Sequence, residues 1–290
     1  MNDHLAFRAL VSVAGFLLFC LVCLLTLPLR VSWLISSMWV VCCAMLMAQP
    51  SMAQPVPNWL GWLTTLLAGL LFSLMLGQSG AAGWQLWRAT QRLTQATRSA
   101  RLSLSPVVDR LARRLDLSDG LVVVPNREPL SFCYGLWRPR ICLSQGLIDL
   151  LLTETELEAV LWHEVYHLRR REPLRMAVAI CLSRFFFFVP LLAELRDHYL
   201  AEKELAADAF AVAHTDRPAL ARALHKIITI QPVPTISSLG AVAGLSVTAR
   251  RVDRLLNPAA RPNWRPSRRS MLSVLVLFAV GCLFMFAGMV

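Results

Sequence analysis

The chain has 290 residues, 56% of them hydrophobic and only 16% charged, with a formal net charge of +11 and a mean hydropathy of +0.54. That is too apolar for an ordinary soluble domain, and it excludes a disordered chain, a collagen and a small disulfide scaffold. Residues 1–87 hold only Asp3, Arg8 and Arg30 as charged groups, so a nearly uncharged third precedes a basic remainder, the pattern of a membrane anchor carrying a cytosol-facing domain.

In chain order, residues 5–27 are an apolar run long enough to span a bilayer, broken by Pro28-Leu29-Arg30 from a second run over 31–48. A cleaved leader is the competing reading of the first run, but no small-x-small cleavage site follows it and two more apolar runs do. A third run covers 59–86, with Trp59, Trp62, Trp84 and Trp87 at its ends, where interfacial aromatics belong. The 49–58 loop lacks Lys and Arg, whereas Arg88, Arg92, Arg98 and Arg101 follow the third run. The positive-inside bias therefore sets the amino terminus outside and residues 88–270 in the cytosol, and a last span, 271–290, follows Arg268 and Arg269. Arginines crowded beside apolar runs suit topology and anionic headgroups, not a nucleic-acid groove, so no nucleic-acid partner is expected. Cys20 and Cys23 have metal-like spacing, yet inside an apolar run they read as small apolar residues. Cys133 and Cys142 are expected to face each other across a hairpin as free thiols in a reducing compartment.

Within 88–270 the sequence predicts a helix over 88–116 broken near Ser105-Pro106, and a short strand at Leu121–Val124. A hairpin follows from Ser131–Tyr134 and Arg140–Leu143, then a short helix over Gln145–Leu152. Thr153 opens a further helix as the first residue of a capping box with Glu156, and Pro173 is expected to end it. Helical sequence returns over Leu191–Ile230, followed by a looser stretch, Gln231–Leu245. The apolar run 176–192 contains Arg184 and Pro190 and is short for a span; it is expected not to cross, lying instead as a re-entrant, interfacial or buried segment.

The capped helix carries His163-Glu164-Val165-Tyr166-His167. A spacing of four puts both imidazoles on one helix face, where two neutral nitrogens can bind one Zn²⁺. Glu164 is placed to take a proton from water while the metal lowers that water's pKa and polarises a carbonyl. Two histidines do not hold a catalytic zinc, so a third ligand must come from downstream acids or histidines. In Ala201-Glu202-Lys203-Glu204-Leu205-Ala206-Ala207-Asp208, Glu204 and Asp208 lie one turn apart: Glu204 can ligate while Asp208 holds an imidazole by its other N–H. Glu202 falls on a different face.

His163–His167 with Glu204-x-x-x-Asp208 resembles the membrane zinc peptidases of the HtpX/Ste24 type and of the BlaR/MecR antibiotic-sensor type. The run from Ser131 to Leu147 and the stretch Leu157–Glu164 resemble the BlaR/MecR sequence at and before the zinc helix. The resemblance implies a gluzincin: one Zn²⁺ held by His163, His167 and Glu204, with Glu164 as catalytic base. Arg251-Val252-Asp253-Arg254-Leu255 weakly resembles a late Arg-hydrophobic element of such peptidases, and Arg251 is given no role. Tyr166 stands where such motifs usually have Ala, which crowds the helix but removes no ligand. The family's extracellular penicillin-binding sensor is expected to be lacking after the last span, so a sensor or regulator protein, or an intramembrane cue, takes its place.

The expected fold is a mainly α integral membrane protein, a helical zincin domain with a small β-hairpin or sheet flanked by transmembrane helices. The expected function is a membrane-anchored zinc metalloendopeptidase of a bacterial inner membrane, acting on a polypeptide substrate at the cytosolic face, in signal transduction. The lipid bilayer is its other partner. Extended substrate is expected to lie along strand 131–134 or 140–143. The rival reading is a signalling or structural membrane protein whose zinc site acts only in self-cleavage or is a relic.

Overall fold

The computed structural model describes residues 4–18, 58–230, 251–252, 255 and 265–287. The expected span 31–48 and the whole of the looser stretch 231–245 lie outside these residues, as does the end of the first apolar run. Helix α1 covers residues 4–18 and α2 runs the 42 residues Asn58–Ser99. The order then is α3 (Pro106–Arg114), β1 (Leu121–Val124), β2 (Ser131–Tyr134), β3 (Arg140–Ser144), α4 (Gln145–Leu150), α5 (Glu154–Arg169), α6 (Glu172–Phe185), α7 (Pro190–His214), α8 (Arg217–Ile230) and α9 (Arg268–Ala287). The described residues are thus mostly helical with one small sheet. Among the described residues no helix is long and apolar enough to cross a membrane; on α2 the described side chains begin at Leu66, and on α9 few after Val276 are included.

The sheet has the order β1-β3-β2. β1 pairs parallel with β3, and β2 antiparallel with β3. The β2–β3 turn needs Gly135, which sits at φ 96°, where a Cβ would fall 2.5 Å from the Arg138 carbonyl oxygen. The register sets Phe132 opposite Cys142 and Cys133 opposite Ile141. Because successive side chains alternate faces, Cys133 and Cys142 do not face each other as the sequence suggested. Both are free thiols. β3 is bonded on both sides, so of the two strands considered for substrate only β2 keeps an open edge among the described residues.

Two cores flank the site. In the first, Val108, Leu111, Leu121, Val123, Ile141, Leu143, Leu147, Leu157, Leu161 and Val165 pack the sheet against α3, α4 and the apolar face of α5. In the second, Leu10 of α1, Met75 of α2, Ala179 of α6 and Leu192, Leu195 and Tyr199 of α7 come together. The apolar run 176–192 is not one helix: α6 ends at Phe185 and α7 starts at Pro190, with Phe186 and Val189 buried in the second core between them.

Helix α5 begins where the sequence placed it, with the Thr153 hydroxyl accepting from the Glu156 amide at 3.3 Å. The other half of the expected capping box is used differently. Glu156 is 2% exposed, and its carboxylate accepts from Lys226 at 2.7 Å and Arg222 at 3.3 Å, pinning α8 to α5. A buried carboxylate takes the strongest available charge partners, and two cations outweigh one backbone amide. Pro173 also acts otherwise than expected. Helix α5 closes at Arg170, Arg171 turns the chain at φ 50°, and Pro173 sits in the first turn of α6, where its missing N–H costs nothing.

Candidate metallopeptidase site

α5 and α7 cross closely because small side chains line their contact: Ala159 and Ala211 in one cluster, Ala206 and Ala207 in another. That approach carries the acidic turn of α7 up to the histidines of α5. His163 and His167 Nε2 are 3.2 Å apart. Glu204 Oε2 lies 3.4 Å from His163 Nε2, and its Oε1 3.9 Å from His167 Nε2. These three residues form a group whose ligand atoms all lie within 4.8 Å of one another. Ligands about 2.0–2.1 Å from a tetrahedral zinc are themselves about 3.3 Å apart, so the observed separations fit such an ion. Tyr166, the departure from the usual motif, points to the α7 side, where it packs on Ala206, Ala207 and Phe210 and leaves the ligand atoms clear.

Asp208 comes to the opposite side of the first imidazole: its Oδ1 is 2.8 Å from His163 Nδ1. Burial works against charge on His163, but the bonds to Asp208 and Glu204 outweigh it and lift the group to about 9. Asp208 at Nδ1 fixes the ring so that Nε2 points at Glu204 and His167, and a divalent cation bound there would replace the Nε2 proton. His167 lies in the same cavity without such a carboxylate. Burial, and then repulsion from His163, push it down to about 3, so its Nε2 lone pair is free of a proton at neutral pH. Burial raises Glu204, yet the His163 bond and Lys203, 3.4 Å away, hold it well below the usual carboxylate range. Two imidazole nitrogens and an ionised oxygen converge, which is the donor set that a borderline-soft divalent ion takes.

Glu164 is on the same helix but aims elsewhere. Its Oε1 accepts from the Ser131 hydroxyl at 2.8 Å, whereas its Oε2 is buried with no hydrogen-bond partner among the described residues. Burial raises its pKa above the ordinary carboxylate value, the direction that suits a general base. A cavity of about 390 Å³ opens over these groups, walled by Ser131, Phe132 and Cys133 of β2, by His163, Glu164 and His167, and by Glu204 and Arg251.

The sequence placed His163, Glu164, His167, Glu204 and Asp208 at a site, and the structure brings all five together. Glu202 is kept out of the ligand group. Two further contributors were missed. Ser131 was read only as the start of a strand, although its position on the cavity side of β2 puts it on Glu164. Arg251 had no role, yet its Nε and Nη2 each donate to Asp208 at 2.8 Å, and its Nη1 is 3.6 Å from Glu204. The signal was one arginine of the run Arg250-Arg251-Val252-Asp253-Arg254, which no local pattern connects to Asp208. Arg251→Ala is expected to weaken zinc affinity about tenfold or more, since an outer partner of a ligand is commonly worth that much. Arg251→Lys restores only part, because an ammonium does not form the forked pair. Competition titration with a zinc chelator checks both values.

The model of the BlaR1 peptidase M56 family matches residues 51–256, more than half of the sequence. The chain belongs to the BlaR1 peptidase M56 family. That stretch holds every residue of the cavity just described. Curated relatives of this M56 chain carry the name Protease HtpX homolog. The one from Salinibacter ruber is 29% identical over 120 residues, 39% of this chain and 43% of the relative. The one from Acaryochloris marina is 31% identical over 149 residues, 45% and 50% respectively, and that from Janthinobacterium sp. is 32% identical over 119 residues, 38% and 41%. The chain spans half or less of the length of these relatives.

Proposed function

We propose that the chain is a membrane-anchored, zinc-dependent metalloendopeptidase that cuts a polypeptide at the cytosolic face. The observation that carries this reading is the convergence of His163, His167 and Glu204 beside a buried Glu164 whose Oε2 has no hydrogen-bond partner among the described residues. Zn²⁺ held by the three ligands would polarise the scissile carbonyl and lower the pKa of water. Glu164 takes the proton of the attacking water at Oε2 while Ser131 keeps Oε1 in place, and it passes that proton to the departing amine. Asp208, clamped by Arg251, fixes the orientation of the His163 ring. Extended substrate pairs with the open edge of β2, whose main-chain groups face the same cavity as Ser131.

The test is metal analysis of the purified chain together with cleavage of a denatured protein such as casein. The expected result is one zinc per chain and cleavage that stops on chelation and returns with Zn²⁺. A zinc-loaded chain that cuts nothing but itself would favour the signalling alternative.

Membrane anchoring draws support from the described side chains. Leu66, Leu67, Leu70, Leu71, Leu74 and Leu76 are exposed on α2, and Met271, Leu272, Leu275 and Val276 on α9. Contiguous apolar surface of this kind is far more than a monomer in water presents. In the proposed topology α6 and the start of α7 stay on the cytosolic side, because His163, His167 and Glu204 share one ion. Arg171→Cys and Asp197→Cys, in a background cleared of native Cys, are expected to react with an impermeant thiol reagent from the same side. Labelling from opposite sides overturns this topology.

A further inference from the structure

A second cavity, of about 380 Å³, lies between α2 and α6, well apart from the peptidase residues. Its walls are Gln78, Ala81, Ala82, Gln85, Leu86 and Ala89 of α2 with Ile180 and Arg184 of α6. It exists because the two helices meet through small residues; at Gly83 even a Cβ would already lie 3.6 Å from Cys181 Sγ. Gln78 and Gln85 are two turns apart and so share one stripe of α2. Arg184 faces them from an otherwise apolar stretch of sequence. No carboxylate lines the cavity. Arg184 is exposed and forms no ion pair among the described residues, although Arg175 of α6 and Arg196 of α7 both have carboxylate neighbours.

An arginine beside lipid-facing helices is costly unless an anion meets it. The level of the cavity along α2 indicates which anion. Trp84 and Trp87 stack at 4.9 Å, and Arg88 lies over the Trp84 ring at 4.7 Å, the arrangement of a membrane–water boundary. Gln85 is next to Trp84, so the cavity lies at that boundary, on the arginine-rich side of α2.

We infer that the α2–α6 groove binds the headgroup of an anionic phospholipid of the inner leaflet, with Arg184 on the phosphodiester and Gln78 and Gln85 on its oxygens or on the glycerol. This rests on the membrane reading above. It adds a lipid site to it, one that ties the position of α6, the helix following the zinc helix, to the composition of the leaflet.

The test uses the full chain in a neutral detergent, with dioctanoyl phosphatidylglycerol, dioctanoyl phosphatidylcholine and inorganic phosphate titrated separately and adducts counted by native mass spectrometry. Phosphatidylglycerol is expected to bind one per chain, at least about five-fold more tightly than phosphatidylcholine, the effect of one basic side chain on an anionic lipid. Arg184→Gln is expected to remove that preference. Ala82→Leu, which keeps the charge but fills the groove, is expected to weaken binding of phosphatidylglycerol as well. Zinc content serves as the folding control for both variants. Equal binding of the two lipids, an undiminished preference in Arg184→Gln, or inorganic phosphate binding as tightly as phosphatidylglycerol would overturn the inference. Carbonate extraction of the chain from membranes is read separately. Release by carbonate would sink the membrane reading, whereas retention with no lipid preference would sink the headgroup site alone.

Discussion

Glu164→Ala is expected to keep zinc at one per chain and to lower cleavage of a denatured protein by at least about 10²–10⁴-fold, the range that a positioned general base contributes. The two halves of that outcome come from different atoms. Zinc is retained because Glu164 is not part of the converging ligand group, which is built from His163, His167 and Glu204. Activity is lost because Oε2 is a buried acceptor without a hydrogen-bond partner among the described residues, on a side chain that lines the cavity. Glu164→Gln sharpens the result. It preserves the size of the side chain and the contact with Ser131 at Oε1, but it takes no proton. Its rate is expected to fall as far as that of the alanine variant. Unchanged cleavage by either purified variant would remove Glu164 from the chemistry, and loss of zinc in the glutamine variant would make it a ligand.

The parts of this site that were legible in the sequence are those fixed by helical phase. His163 and His167 share a face because four residues are close to one turn, and Thr153 marks where that helix begins. Glu204 and Asp208 follow the same rule on α7. What the sequence hid is tertiary. The capping-box reading of Glu156 assumed that the helix end was the best partner on offer, but α8 brings Lys226 and Arg222 to a carboxylate that is otherwise buried. Cys133 and Cys142 looked like partners because a hairpin joins their strands, and a register offset by one residue sends them to opposite faces. Pro173 was read as a stop. It is a start, because Arg171 had already turned the chain through a left-handed conformation. Arg251 was noticed but could be given no role, because its partner Asp208 is 43 residues away in sequence and on another element.

The second large effect concerns which acid of α7 holds the metal. Glu204→Ala is expected to cost more zinc affinity than the roughly 10–100-fold that loss of an outer partner costs, because it removes one of three direct ligands. Glu202→Ala is expected to leave zinc in place. Two residues along a helix is about 200° of rotation, so only one of the two carboxylates can face α5 at the level of the histidines. The structure selects Glu204, whose oxygens reach 3.4 Å from His163 and 3.9 Å from His167. Glu202 is itself 5% exposed, so its removal is expected to lower stability; thermal unfolding with and without added Zn²⁺ keeps the two effects apart. A Glu202 variant that unfolds at lower temperature but still gains stability from zinc fits the assignment. Equal loss of metal from both variants, or loss from the Glu202 variant alone, would mean that α7 presents its other face to the histidines and that the three-ligand site is wrong.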